Sequence, residues 1–394
     1  MAIYLDNQAS TRMDPAVIEA MLPMMDLHYA NPGSTTHRAG RMVGEIVEDA
    51  VQRMAAFFNA NCDEVVVTSG ATESNNLALF GVAMHSKQKR RSIVSLVTEH
   101  RALLDPLARL EKLGFEIIRL PVLQHGHPDS GRVDLEQLAN SLSDNTALVS
   151  IMLANNEIGT VQPMREIADL CRRFEIPLHT DASQAVGRIP IDIQTLGVDL
   201  LSFSAHKFYG PKGIGGLIVR QNATPVLLQP QILGGGQQWN LRSGTLNSMG
   251  IVGMAKALDL CRQAMDSEMA IQEELRNSLW LLLNERIAGL TLNGPFLGSR
   301  NGTKRLPNNL NVCFPKVDGQ SLMLALPDLA VSSGSACTSA EPHPSHVLLG
   351  IGLSIDQARS SLRFGLGRYT TTSDIQTTAE WLSEAYAKLA AFAA

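Results

Sequence analysis

Apolar residues along this chain follow two rhythms that take turns. From about Glu64 to Val219, short runs rich in aliphatic and β-branched residues stand out: VVVTS, SIVSLVT, FEIIRLP, ALVSIML, IPLHTD, LLSFS and GGLIVR, separated by stretches rich in Gly, Asp, Asn and Pro. Runs of this length and composition read as buried strands. Between them, Glu73–Met84, Arg101–Lys112 and Met164–Phe174 repeat apolar residues every three to four positions, the period of a helix with one buried face. Strand and helix in alternation predict an α/β fold, a mostly parallel seven-stranded sheet with helices on both faces. Ligands in such sheets bind beyond the carboxyl ends of the strands, so the polar residues directly after each run are the first candidates for chemistry.

Past the Gly-rich stretch LGGGQQWNLRSGT, a long helical pattern from Met249 to about Glu285 carries the chain out of this unit. With 394 residues the chain exceeds what one core usually covers. The expected division is a large domain over 13–257 and a smaller α/β domain built from 1–12 and 258–394. The second holds strand-like runs at Asn309–Phe314 and Ala330–Ser332 and a final helix over Ser373–Leu389. Small and polar residues dominate 332–344, which reads as a loop and contains Cys337.

Composition narrows the function classes. Hydrophobic residues make up 45% and charged residues 18%, ample for a core. The 33 basic and 38 acidic residues leave a net charge of −5, without the basic field that direct nucleic-acid binding uses. No apolar stretch approaches the roughly 20 residues that span a bilayer, and the start, MAIYLDNQAST, lacks the basic and apolar pattern of a signal peptide. Five cysteines without a C-x-x-C pair suit a reducing compartment, so a cytoplasmic protein without membrane contact is expected.

The polar residues after the runs supply the chemistry. Lys207 follows LLSFSAH at a strand end, where an amine beside Ser204 and His206 can attack an aldehyde; an ordinary surface lysine is the alternative. Asp181 and Gln184 follow IPLHT, and a carboxylate there can face a pyridinium nitrogen or merely cap a helix. VVVTSGATESNN is a strand, a glycine turn and a helix start, offering the amides of Gly70, Ala71 and Thr72 to a phosphate, although Thr72 can equally act as a cap. His100 and Asn156 each end a strand; the plain readings are a core histidine and a turn residue. Arg363 in SSLRFGLGR has the guanidinium geometry to clamp a carboxylate, with Arg368 as a surface counterpart. Cys337 lies outside any apolar period, whereas Cys62, Cys171, Cys261 and Cys313 adjoin helical or strand patterns and read as structural. His343 and His346 have no further ligands at zinc spacing, so no metal site is expected.

Taken together, YLDNQAST, ANPGSTTHRAG, SGATESNN, TEHRALLD, NNEIGTVQP, HTDASQAVG, SFSAHKFYGPKGIGG, RSGT, AVSSGSACTSA and SSLRFGLGR occur in an order that resembles the class V aminotransferase-like group, and within it the bacterial cysteine desulfurases of the NifS and IscS kind. The resemblance runs nearly end to end. It implies fold type I of the pyridoxal-phosphate-dependent transferases, a homodimer, and pyridoxal 5'-phosphate as cofactor. It implies that Lys207 carries the cofactor, Asp181 meets its ring nitrogen, Gln184 and Asn156 address its ring oxygen, and His100 stacks on the ring. Ala71, Thr72, Ser204 and His206 would meet the phosphate, joined by Thr245 from the neighbouring subunit. Arg363 and Asn31 would hold the carboxylate of L-cysteine while Cys337 takes its sulfur as a persulfide, leaving alanine. A sulfur-acceptor protein, an iron–sulfur scaffold or a thiolation carrier, would follow. Selenocysteine lyase or another class V aminotransferase is the alternative activity. The chain departs from the pattern in QAST near the start, in the arginine after TEH, and in GGGQQWN.

Overall fold

The computed structural model describes residues 2–221, 226–298, 304–333 and 344–392. All seven apolar runs are strands of one sheet. After β1 (Ile3–Tyr4) come β2 (Val65–Thr68), β3 (Ser92–Leu96), β4 (Glu116–Leu120), β5 (Thr146–Ser150), β6 (Leu178–Asp181), β7 (Leu200–Ser204) and β8 (Gly215–Val219). Their spatial order is β2-β8-β7-β6-β5-β3-β4. The pairs among β3 to β7 are parallel, while β8 runs antiparallel to both β7 and β2. Because β8 is reversed, the turn that enters it at Lys212 and Gly213 reaches the same edge as the carboxyl ends of β2, β3, β5, β6 and β7.

The helices are α1 (Pro15–Asp26), α2 (Arg38–Phe58), α3 (Ala71–Ala83), α4 (Arg101–Lys112), α5 (Leu135–Ser141), α6 (Met164–Arg173), α7 (Ile193–Leu196), α8 (Ser248–Arg286), α9 (Gly319–Ala325), α10 (His346–Gly350), α11 (Ile355–Arg359) and α12 (Thr372–Phe392). Strand residues alternate between two cores: Val65 and Val67 join one and Val66 the other, and Leu201 and Leu200 divide in the same way. That is the period-two signature of a sheet buried on both faces. On one side α2 turns Val43, Val47, Ala50, Met54 and Phe58 inward at three-to-four spacing. On the other, α3 and α4 supply Leu77, Leu103 and Leu107. Each such buried aliphatic side chain stabilises the fold by about 2 kcal/mol.

A third core lies around a smaller sheet of β12 (Ser361–Gly365), β10 (Asn309–Cys313) and β9 (Thr291–Leu292), with β1 paired in parallel to β11 (Leu329–Ala330). The amino-terminal residues Ile3 and Leu5 pack there with Leu310, Phe364 and Leu382. The long α8 serves both ends of the molecule: Ile251 to Cys261 enter the first core, and Leu275, Leu279 and Leu283 the third. The expected second unit over 258–394 needs one correction. Leu306 and the stretch from Val347 to Ala358 pack into the large core instead. Their apolar side chains meet the large sheet's helices and loops, and His125 N donates to the Ile351 carbonyl at 2.7 Å.

Gly159, in the loop after β5, shows how the two parts interlock. Its φ is +69°, and an added Cβ would lie 2.5 Å from Asn309 Oδ1 of β10. A left-handed backbone and a blocked contact together cost about 2–3 kcal/mol. Gly159→Ala is expected to lower the thermal midpoint by several degrees; an unchanged melting curve contradicts this reading.

Candidate active site

A cavity of about 550 Å³ opens at the carboxyl ends of β2, β3, β5, β6 and β7. Its lining includes Ala71, Thr72, His100, Asn156, Asp181, Gln184, Ser204, His206 and Lys207. Residues up to 136 positions apart in sequence thus meet because each ends a strand or starts the next helix. A larger cavity, of about 760 Å³, is lined by Leu178 and Asp199 at the opposite ends of β6 and β7 and holds none of these residues.

One end of the site is a helix start. Gly70 has φ +148° with extended ψ, a conformation that favours glycine, and it turns the chain from β2 into α3. A Cβ there would meet Ser204 Oγ at 3.4 Å, so the bare backbone keeps this corner open. The first amides of α3 have no intrahelical partner and carry the positive end of the helix dipole, which suits an anion. His206, beside them, has its pKa pushed down to about 4 by burial first and then by Lys207 and Lys212. It is therefore a neutral imidazole, within 3.2 Å of Ser10 Oγ.

Lys207 lies in the short 3-10 turn after β7. Its Nζ donates to the carbonyls of Gln8 at 2.6 Å and Ala9 at 2.9 Å, so the amino-terminal segment crosses the mouth of the large sheet. Gln184 Nε2 donates to the same Gln8 carbonyl at 3.0 Å. Asp181, the last residue of β6, accepts from Asn75 Nδ2 at 2.7 Å and from the Ser183 amide at 2.9 Å. The carboxylate is fixed in direction before any ligand arrives. Among the described residues, the side-chain oxygen of Asn156 is buried without a hydrogen-bond partner. A buried polar atom left so is costly unless something else satisfies it.

His100 caps α4: its Nδ1 accepts from the Ala102 amide at 3.1 Å. That assigns the proton of the neutral ring to Nε2. Burial is the largest cause of a lowered His100 pKa, so the ring is neutral at neutral pH. It therefore serves as a donor through Nε2.

Among the described residues, three of those expected are not on the cavity wall. Arg363 is 3% exposed and stands behind Asn156, whose carbonyl it meets at 3.1 Å while pairing with Asp6 at 2.7 Å. Asn31 is exposed, and its Oδ1 accepts from the Gly33 amide at 2.9 Å. Thr245 is also exposed, in a segment whose Arg242 pairs with Glu73 of α3 at 2.8 Å. Cys337 and His343 lie outside the described residues. Among the other cysteines, burial pushes Cys171 up to about 12 and Cys261 up to about 11, and raises Cys313, which keeps these thiols protonated and inert. Cys62 differs from expectation: it is exposed, in a turn at the end of β2 remote from the cavity.

The sequence pattern of "Aminotransferase class-V" matches residues 3–377. The chain belongs to that family. Among its relatives, "Probable cysteine desulfurase, mitochondrial" of Dictyostelium discoideum is 44% identical over 97% of this chain and 82% of its own length. "Cysteine desulfurase IscS" of Neisseria meningitidis is 44% identical over 98% of this chain and 93% of its own. A solved "NIFS-LIKE PROTEIN" superposes with a TM-score of 0.89 at 34% identity, over 99% of this chain and 100% of that one. Members of the family use pyridoxal phosphate, and the residues present fit it. The open glycine corner with its amides matches a phosphate, the prefixed Asp181 a protonated ring nitrogen, and the unsatisfied Asn156 oxygen a ring hydroxyl.

Several residues of the site escaped the sequence reading. Asn75, which aims Asp181, sits in the quoted motif SGATESNN but had no assigned role. Gln8 and Ala9 act through backbone carbonyls, which no side-chain pattern reveals. Glu99 and Glu157, both fully buried carboxylic acids beside His100 and Asn156, carry a visible signal, an acid next to a strand end. Burial raises Glu99 well above the ordinary carboxyl range, and its Oε1 accepts from the Met152 amide at 2.9 Å.

Proposed function

We propose that this protein is a cysteine desulfurase that uses pyridoxal 5'-phosphate to move sulfur from L-cysteine onto Cys337, leaving L-alanine. The observation that carries the reading is the convergence of Lys207, Asp181, His100 and Asn156 on one cavity, in a chain that is 44% identical to cysteine desulfurases over nearly its whole length. Lys207 would hold the cofactor, the amides of Ala71 and Thr72 with Ser204 and His206 its phosphate, and Asp181 its ring nitrogen. When bound, the cofactor supplies an electron sink for the carbanion at the substrate's α-carbon.

The chain's own residues do the rest. Arg363 orients the substrate through its carboxylate, with Asn31 as the second contact. The Lys207 amine, freed on substrate binding, takes the α-proton and later returns one. The Cys337 thiolate bonds to the substrate sulfur as the carbon–sulfur bond breaks, and His100 Nε2 is placed to donate to the site. The balance is L-cysteine plus enzyme thiol giving L-alanine plus enzyme persulfide, with no external oxidant. Ser332, five residues before Cys337, exchanges backbone hydrogen bonds with Arg363 at 2.6 and 3.2 Å. Five residues reach at most about 18 Å, which supports a cysteine able to act near Arg363.

The remaining parts of the reading concern assembly and setting. Thr245 and Asn31, exposed on a single chain, suit a homodimer in which Thr245 completes the neighbour's phosphate site. The persulfide would pass to an acceptor protein of iron–sulfur assembly or thiolation. Among the described residues no helix is long and apolar enough to cross a membrane. A persulfide carrier with unpaired thiols is best placed in a reducing cytoplasm.

Product analysis tests the reading. With L-cysteine and a reductant, the purified protein is expected to form alanine and sulfide in equal amounts. If it instead passes the amino group of its substrate to a 2-oxo acid and releases no sulfide, it is an aminotransferase.

A further inference from the structure

The main chain around Lys207 is held from outside its own turn. The 3-10 turn Ala205–Lys207 spans three residues, and such short pieces have poor hydrogen-bond geometry of their own. Two distant parts of the chain supply the rest. Thr11, in the amino-terminal segment, donates through its amide and its hydroxyl to the His206 carbonyl, both at 2.9 Å, and its Oγ1 accepts from the Tyr209 amide at 2.7 Å. Arg188, in the loop between β6 and α7, donates from Nη2 to the Lys207 carbonyl at 3.2 Å and from Nη1 to the Tyr209 hydroxyl at 2.5 Å. Arg188 is 3% exposed, and among the described residues it makes no ion pair. Those two hydrogen bonds and the face of the Tyr209 ring therefore hold a buried cation at the backbone of the cofactor lysine.

Tyr209 is fully buried and has a left-handed backbone, φ +67°, which is rare for a bulky residue and persists only where its surroundings over-determine it. Here they do. The guanidinium carbons of Arg188 and Arg368 lie 4.7 and 4.2 Å from the ring centroid, and the hydroxyl also accepts from the Arg368 amide at 2.7 Å. Arg368, three residues beyond β12, pairs with Asp14 at 2.6 Å and with Glu268 of α8. The Asp14 amide in turn donates to the Tyr209 carbonyl at 3.0 Å.

We propose that Arg188 and Tyr209 are positioning residues for Lys207, fixing its main chain so that the amine meets both the cofactor aldehyde and the substrate's α-carbon. This rests on the reading of Lys207 as cofactor lysine and proton carrier. A lysine stem is flexible, so where its tip can act depends on where its Cα stands. Misplacing a reacting group by about 1 Å can cost about 10²-fold in rate.

Two measurements test this. The first mixes protein freed of cofactor with pyridoxal phosphate and times the return of visible absorbance, which reports the bond made by the Lys207 amine. The second follows exchange of the α-proton of L-alanine for deuterium by the holoenzyme, together with the alanine dissociation constant. Tyr209→Phe keeps the ring between the two guanidinium groups and removes the hydroxyl that Arg188 and Arg368 both meet. It is expected to bind as much cofactor at saturation as wild type, while both rates fall about tenfold and alanine affinity changes by less than about twofold. Arg188→Met, which also frees the Lys207 carbonyl, is expected to lose about 10²-fold in both rates, and Arg188→Lys, which keeps a donor for that carbonyl, to recover part of the loss. Wild-type rates in Tyr209→Phe, the variant that disturbs the fold least, overturn the proposal. So does a loss of cofactor content or alanine affinity in step with the rates, because that marks a loosened fold and not one misplaced amine. Lys207→Ala separates the two levels. If it exchanges the α-proton at the wild-type rate, the reading of Lys207 fails; if its exchange is slow while Tyr209→Phe and Arg188→Met match wild type, the role of Arg188 and Tyr209 alone fails.

Discussion

Lys207→Ala is expected to lose both the cofactor's visible absorbance and desulfuration, with turnover falling by about 10³-fold or more. The amine sits under the carbonyls of Gln8 and Ala9 at the end of β7, the place from which a covalent bond to a cofactor aldehyde can form. No other lysine on the cavity wall shares that position; Lys212 lies on the turn into β8. The phosphate corner at Gly70 and the carboxylate of Asp181 remain, so weak non-covalent retention of cofactor with no turnover is consistent with this role. Full activity in Lys207→Ala contradicts it.

Cys337→Ala is expected to behave in the opposite way, keeping the absorbance and binding L-cysteine while alanine and sulfide formation falls by on the order of 10³-fold. The three buried cysteines cannot replace it, because burial holds Cys171, Cys261 and Cys313 as thiols. Cys62 is exposed but lies beyond the far end of β2. Together the two substitutions separate cofactor chemistry from sulfur acceptance: one removes colour and turnover, the other turnover alone. A Cys337→Ala protein that still forms alanine and sulfide at the wild-type rate contradicts the assignment.

How much of this was legible in the sequence follows from where each signal resides. Strands buried on both faces advertise themselves as apolar runs, and each of the seven became a strand of the large sheet. The residues placed directly after those runs, from Thr72 to Lys207, met in one cavity because parallel strands bring their carboxyl ends to one edge. Features that depend on distant backbone were not legible. The reversal of β8, the return of Val347 to Ala358 to the large core, and the carbonyls of Gln8 and Ala9 over Lys207 have no local pattern. The Glu157–Ser345 contact joins residues 188 positions apart, and neither residue belongs to an apolar period that would mark it. Asn31 and Thr245 are exposed and off the cavity wall, so the basis for including them is the family resemblance and the dimer it implies.

The most direct test of the account is the mass of the holoenzyme after exposure to excess L-cysteine without reductant. The account predicts a gain of one sulfur atom per chain, located on the peptide containing Cys337, with one alanine formed for each sulfur retained and no gain in Cys337→Ala. Alanine formed with no added sulfur on that peptide, or with the sulfur on Cys62, would contradict it.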